Sequence, residues 1–284
     1  MRDCYVTLVC GKKRVGKTYT TIQTLDEAVA GNRAKGIKPR RALIFDVNNE
    51  FSEFDFNGYK RRIKAIALKD VGRFSTNNNI EIRRIAPFHD DGKKMSINDM
   101  QDVLNNILDV YRNGILLVED INKYIGDSIN GDLIGNLATV RHIGIDLICH
   151  YQMIGRCANP KLLGNANFIR FHKTIDTVSR HKDKFQEKTE ILSIAECVVN
   201  HQYANDNERF YLYVNVDENK ILGGRDPIAP EHINRAIKDY ISSNYSTLVK
   251  PLMQKIDFET GNLLYKDRTV AMQAEFDRLK KTYF

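Results

Sequence analysis

The sequence predicts an α/β fold built on a mainly parallel central sheet, and three features predict it. A glycine-rich stretch, Gly11 to Thr18, stands between an apolar run and an amphipathic segment. Further short apolar runs at 42–47, 115–118 and 145–149 end in polar residues, as buried strands do when their carboxyl ends open onto a ligand crevice. Segments with apolar residues three and four apart alternate with these runs, the pattern of strands joined by crossover helices.

Tyr5 to Cys10 reads as the first strand. The following GKKRVGKT, Gly11 to Thr18, matches GxxxxGK followed by Ser or Thr at every fixed position, which marks a nucleoside triphosphate site. Gly11 and Gly16 let the backbone turn so that successive N–H groups face phosphate oxygens, and the helix N-terminus adds partial positive charge. Lys17 is spaced to reach the β- and γ-phosphates, and the Thr18 hydroxyl to hold Mg²⁺. The candidate cradle is therefore Gly11, Lys12, Arg14, Val15, Gly16, Lys17, Thr18 and Tyr19. Lys12 and Lys13 are also compatible with a solvated surface. A helix over Thr18 to Ala30, with Ile22, Leu25 and Val29 on one face, stops at Gly31.

Arg33 to Arg41 holds five cations and no acid and reads as an exposed loop. The second strand, Ala42 to Val47, runs into Asp46-Val47-Asn48-Asn49-Glu50 at the crevice. Lys60, Arg61, Arg62 and Lys64, then Arg83 and Arg84 on a strand over Ile80 to Ile85, are either solvated faces or contacts to a polyanion. Ser96 and Asp99 start a helix whose apolar face is Ile97, Met100, Val103, Leu104, Ile107, Leu108 and Tyr111.

The third core strand, Ile115 to Val118, ends in Glu119-Asp120. After a P-loop this is the Walker B pattern, one carboxylate serving the Mg²⁺ shell and its neighbour polarising the attacking water. A helix through Leu133 to Val140 leads to a fourth strand ending in His150-Tyr151-Gln152, where Gln152 is the candidate γ-phosphate sensor. His150 reads as a second polar contact or as a structural residue. Asn159-Pro160 reads as a turn, and the alternation of Phe168, Arg170 and His172 in the fifth strand predicts a sheet edge. Beyond it the pattern predicts a helix over 189–203, a hairpin from Phe210–Val216 and Lys220–Leu222, a helix from Pro230, and a last helix over Thr269 to Lys281. We expect a motor domain over 1–216 and a mostly helical appendage over 217–284. Packing on the motor is the preferred role of the last helix, contact with nucleic acid or a portal-like partner the other.

Net charge +7 and a pI near 9.0 suit a polyanionic partner. Five cysteines without CxxC spacing argue against a disulfide framework or zinc ribbon and for a reducing cytosol. No apolar run nears the ~18 residues of a membrane span, and Met1-Arg2-Asp3 enters the first strand directly. The expectation is a cytoplasmic protein, neither secreted nor inserted in a membrane.

On these residues the chain resembles the FtsK/HerA superfamily of DNA-pumping ATPases, which includes genome-packaging ATPases of some viruses. The resemblance spans roughly residues 4 to 180. It is carried by Arg141 before strand four and Gln152 after it, by Asn165-Ala166-Asn167 ahead of strand five with Ile175-Asp176 and Ser179-Arg180 beyond, and by the Asp46 to Glu50 turn. It implies a RecA-like P-loop NTPase of the additional-strand type using ATP and Mg²⁺. It also implies a homo-oligomeric ring, hexamer or pentamer, moving double-stranded DNA, with a capsid or portal protein as a further partner and the host cytoplasm as its setting if viral. By the same resemblance Arg141 is an arginine finger for a neighbouring subunit's nucleotide, and Glu50 lies near the site. The family's usual order is aspartate then glutamate; here it is Glu119 then Asp120, which leaves the division of metal and water roles open. A phage assembly or secretion ATPase of filamentous-phage type is the alternative. A GTP-dependent switch or a small-molecule kinase is a further alternative, but a guanine-reading NKxD is lacking, since Asn122-Lys123-Tyr124-Ile125 has the wrong fourth residue, and a kinase would not explain Arg141 through Gln152. A subunit that binds nucleotide without turnover is the remaining possibility.

Overall fold

The computed structural model describes residues 4–56, 59–89, 91–121, 131–157 and 159–284. Its strands are β1 Val6–Cys10, β2 Ala42–Phe45, β3 Glu53–Phe56, β4 Tyr59–Arg62, β5 Lys64–Ala65, β6 Ile82–Ile85, β7 Ile115–Val118, β8 Asp146–Tyr151, β9 Phe168–His172, β10 Tyr211–Asn215 and β11 Lys220–Gly223. One sheet runs β11-β10-β9-β1-β8-β7-β2-β6-β5, and β3-β4 form a separate antiparallel hairpin. Every pairing from β9 across to β5 is parallel, whereas β10 turns back antiparallel on β9. The string Asn122 to Ile125 lies outside the described residues.

The apolar runs belong to a sheet covered on both faces, because side chains alternate along a strand. Leu8, Cys10, Leu43, Phe45, Leu116, Val118, Leu147 and Cys149 join the larger core. Their neighbours Val9, Ala42, Ile44, Ile115, Leu117 and Ile148 face the other way, onto Ile22 and Leu25 of helix Lys17–Ala30. Burying those two side chains contributes about 1.5–3 kcal/mol each, so a charge at Leu25 would lift the helix from the sheet. Helix Ile97–Val110 begins with the expected capping box of Ser96 and Asp99, and Gly31, at φ 64°, ends the first helix. Asn159 caps a short helix, Pro160–Leu163, in place of the expected turn.

The fifth strand is not a sheet edge. β9 lies between β1 and β10, and its alternation has another cause. Ile169 and Phe171 enter the larger core, while Arg170 and His172, both buried, form a polar layer beside the first helix. The Arg33 to Arg41 loop is exposed only as far as Pro39. Arg40 pairs with Asp146 and donates to Gly114 O at 2.7 Å, and Arg41 donates to Phe74 O and to Asn77 O. Arg40 thus ties the loop to the sheet, and Arg41 ties it to helix Val71–Thr76 and its C-cap.

Past residue 216, β11 pairs with β10, and helices Pro230–Ser243, Tyr245–Met253 and Arg268–Tyr283 pack on one another. Pro230–Ser243 also packs on helix Thr189–Ala204. Ile221, Ile237, Ile241, Val249 and Leu279 belong to the same apolar cluster as β1 and β9. All five cysteines are free. Among the described residues no helix is long and apolar enough to cross a membrane.

Candidate nucleotide site

The chain leaves β1 at its carboxyl end, turns, and enters helix Lys17–Ala30. Arg14 at φ 68° and Gly16 at φ 87° take left-handed backbone, which folds the loop back over the helix start. Gly16 supplies that freedom, but Gly11 is glycine for a steric reason: a Cβ there would stand 2.7 Å from His172 Cβ. Lys17 Nζ donates to Gly11 O at 2.5 Å and Lys12 O at 2.8 Å. Burial holds its pKa below the usual lysine value, against the opposing pull of Cys10, Asp120 and Glu119.

Two strands away the end of β7 supplies the acids. Glu119 and Asp120 are buried, and Asp120 sits at φ 48°, a backbone region that a non-glycine residue enters only when its surroundings hold it there. Gln152, just past β8, donates to Asp120 Oδ1 and Oδ2 at 2.9 and 3.1 Å. Asn48, past β2, donates to Glu119 Oε2 at 2.7 Å and Asp120 Oδ2 at 3.3 Å. The amides orient both carboxylates without neutralising them. A cavity of about 610 Å³ is lined by Lys17, Thr18, Glu119, Asp120 and Gln152 together, with Lys13, Arg14, Gly16, Tyr19, Glu50 and Arg209. Asp46 serves the turn instead. Fully buried, it accepts from the amides of Glu50 and Phe51 and pairs with Arg84, which fixes the backbone that presents Asn48 and Glu50.

Beneath the loop lies a layer of polar groups. Arg170, 1% exposed, donates to Lys17 O at 3.3 Å and to Thr21 Oγ1, and makes no ion pair among the described residues. Thr21 Oγ1 also meets His150 Nε2 at 2.8 Å, and His172 Nδ1 lies 3.2 Å from Val15 O. Burial, then the charges of Arg170 and Lys17, keep both imidazoles neutral well below the usual histidine range. A cation without a carboxylate is thus set behind the anion cradle, where its field adds to that of the loop amides. His150 supports the first helix through Thr21 and also lines the cavity.

Four candidate residues, Gly11, Lys12, Val15 and Arg141, do not line this cavity. Lys12 turns away, its Nζ donating to Tyr203 OH at 2.8 Å, so only its backbone serves the loop. Arg141 stands in a 3-10 turn at the other end of β8 from Gln152 and reaches Asn165 Oδ1 at 3.4 Å. Val15 is buried and offers its backbone alone. Arg170, Asn48 and Arg209 are the additions from the structure. Only Asn48 carries a sequence signal, its place at a strand's carboxyl end.

Thr18 with Glu119 and Asp120 is a set of hard oxygen donors of the kind Mg²⁺ takes when phosphates complete its shell. Among the described residues no cluster of three or more His, Cys, Asp or Glu forms a metal cage.

With β8 inserted between the P-loop strand β1 and the acid-bearing β7, the architecture is the RecA-like P-loop NTPase fold of the additional-strand type. No family model and no curated protein matches the sequence. Among solved structures the chain is similar to the genome packaging NTPase B204 of Sulfolobus turreted icosahedral virus 2 in complex with AMP, at TM-score 0.49 and 15% identity, covering 81% of this chain and 100% of that one. It is similar to the N-terminal domain of zonular occludens toxin from Neisseria meningitidis at 0.30 and 17%, covering 60% and 76%. It is also similar to the pCW3 conjugation coupling protein TcpA with ATPγS at 0.40 and 9%, covering 80% and 59%.

Proposed function

We propose that the chain hydrolyses ATP and uses the cycle to move double-stranded DNA, specifically to package a viral genome. The observation that carries the hydrolase reading is the shared cavity: the P-loop lysine, the Thr18 hydroxyl, two oriented carboxylates and Gln152 all line it. On ATP binding Lys17 exchanges its two carbonyl partners for β- and γ-phosphate oxygens. Thr18 and one of the acids would hold Mg²⁺, which would supply charge neutralisation at the phosphates. The other acid polarises the attacking water, and Gln152, tied to Asp120, registers whether the γ-phosphate is present.

Support for the DNA cargo is the excess of positive charge and its placement. Arg33, Lys35, Lys38 and Lys64 are exposed, while Lys60 and Arg62 pair across the hairpin with Glu53. Contacts of this kind depend on salt and little on sequence. Support for a ring is the position of Arg141, at the other end of β8 from Gln152 and outside its own cavity, which leaves a neighbour's phosphates for it to serve. ATPase rate with and without long duplex DNA at two salt concentrations is the test: stimulation that fades at the higher salt is expected, and none at either rejects the DNA cargo. Arg141→Ala is expected to bind ATP, hydrolyse it poorly, and be rescued by mixing with Lys17→Ala chains. Absence of rescue rejects the shared site.

A further inference from the structure

Arg209 stands on the turn between helix Thr189–Ala204 and β10, far in sequence from the P-loop. β10 runs antiparallel to β9 with Tyr211 opposite His172. Its first residues therefore lie at the carboxyl edge of the parallel strands, the edge from which the P-loop leaves β1. There the arginine stem crosses the loop: Cγ, Cβ and Cδ lie 3.6, 3.7 and 3.9 Å from where a Cβ on Gly16 would stand. The side chain lines the same cavity as Lys17 and Asp120. Among the described residues it has no hydrogen bond and no ion pair, unlike the surface arginines Arg62 and Arg235, each of which has an acid.

We propose that Arg209 is a nucleotide-binding residue acting within its own chain, its guanidinium taking α- and β-phosphate oxygens of ATP or ADP. The inference rests on the reading of the cavity as a nucleotide site. Sheet order selects the phosphates. The acids follow β7, beyond β8 on one side of β1, and Arg209 precedes β10, beyond β9 on the other. The γ-phosphate belongs with the acids, so the opposite flank meets the phosphates that ADP keeps. A planar fork of donors suits two such oxygens better than an ammonium does. An exposed arginine also keeps its hydration until the ligand arrives, so the free protein loses little by holding it there.

Because ground state and transition state share those phosphates, Arg209 raises affinity without raising turnover. The test is equilibrium binding of ADP and of ATPγS, with Mg²⁺, to the full chain as wild type, Arg209→Ala and Arg209→Lys, with steady-state hydrolysis beside it. Arg209→Ala is expected to weaken both nucleotides about tenfold and equally, with KM raised in step and kcat within about twofold. Arg209→Lys recovers part of the affinity. The melting temperature without nucleotide stays at the wild-type value, which separates a binding effect from a folding one. Wild-type affinity in Arg209→Ala overturns the proposal and leaves the nucleotide site standing. A fall in kcat at unchanged KM also overturns it, placing Arg209 on the transferred phosphoryl group. Failure of the wild type to bind either nucleotide overturns the reading beneath it.

Discussion

Arg170 and Arg278 are both fixed by their surroundings, yet the two regions treat their charge in opposite ways. In the last helix, Arg278 is clasped by Glu190 at 2.9 Å and Glu275 at 2.7 Å. Tyr283 donates its hydroxyl to Glu190 as well, and the two carboxylates raise the guanidinium pKa further. Arg170 is far more buried and meets only a carbonyl, a hydroxyl and the ring of Tyr211. Its Nε has no partner. A buried ion without a counter-ion costs free energy, so the fold keeps this one at the expense of stability. The difference teaches where an anion is expected: charge is balanced in the helical region and left open behind the P-loop.

The largest way to break the contrast is Lys17→Ala, which removes the cation that reaches the phosphates. ATP hydrolysis is expected to fall by at least about a hundredfold, measured as steady-state phosphate release, and wild-type turnover would reject the site. Next is Arg278→Met. It leaves Glu275 buried without its cation, and the expected loss is about 2 kcal/mol in urea unfolding, below the fully buried figure because Arg278 is itself half exposed. Its nucleotide affinity should not move. Arg170→Met is the converse. Removing an unbalanced charge should leave the melting temperature of the free protein level or higher while weakening ADP about tenfold, or ~1.4 kcal/mol. If Arg170→Met instead destabilises the free protein and spares ADP binding, the contrast is wrong.

Much of this site is legible in the sequence because P-loop chemistry requires local spacing. Gly11 to Thr18, the strand ending at Glu119-Asp120 and Gln152 past the next strand are each recognisable within a few residues, and the structure brings them to one cavity. Arg170 is not legible. An arginine alternating with apolar residues reads as the mark of a sheet edge, since buried arginines are rare, and only the pairing of β9 with both β1 and β10 shows otherwise. Arg40, Arg41 and Arg84 read as members of charge clusters for the same reason, yet each has an internal partner. Arg209 carries no local signal at all. Its place depends on a strand that returns antiparallel about two hundred residues after the loop it crosses.

The smallest effect sharpens the contrast through pH. His150 and His172 stay neutral in the folded protein because of burial and of the cations Arg170 and Lys17 beside them, whereas in the unfolded chain they titrate near the ordinary ~6.5. On acidification through that range the unfolded state takes up protons that the folded state refuses, so stability present at neutral pH is lost as pH falls. Glu196 acts in the opposite sense. Burial raises its pKa to about 7, so the folded state holds a proton that the unfolded state releases nearer 4.5, and stability is lost as pH rises between the two. Glu196→Gln removes that contribution and can still accept from the Val178 amide. In this background the melting temperature without nucleotide should fall steadily from pH 7.5 to 5.5. With ADP bound the fall should be smaller, because the polyanion offsets the cations that oppose histidine protonation. A melting temperature that is flat or rising on acidification would show that the field behind the P-loop is already balanced, and the contrast with Arg278 would lose its meaning.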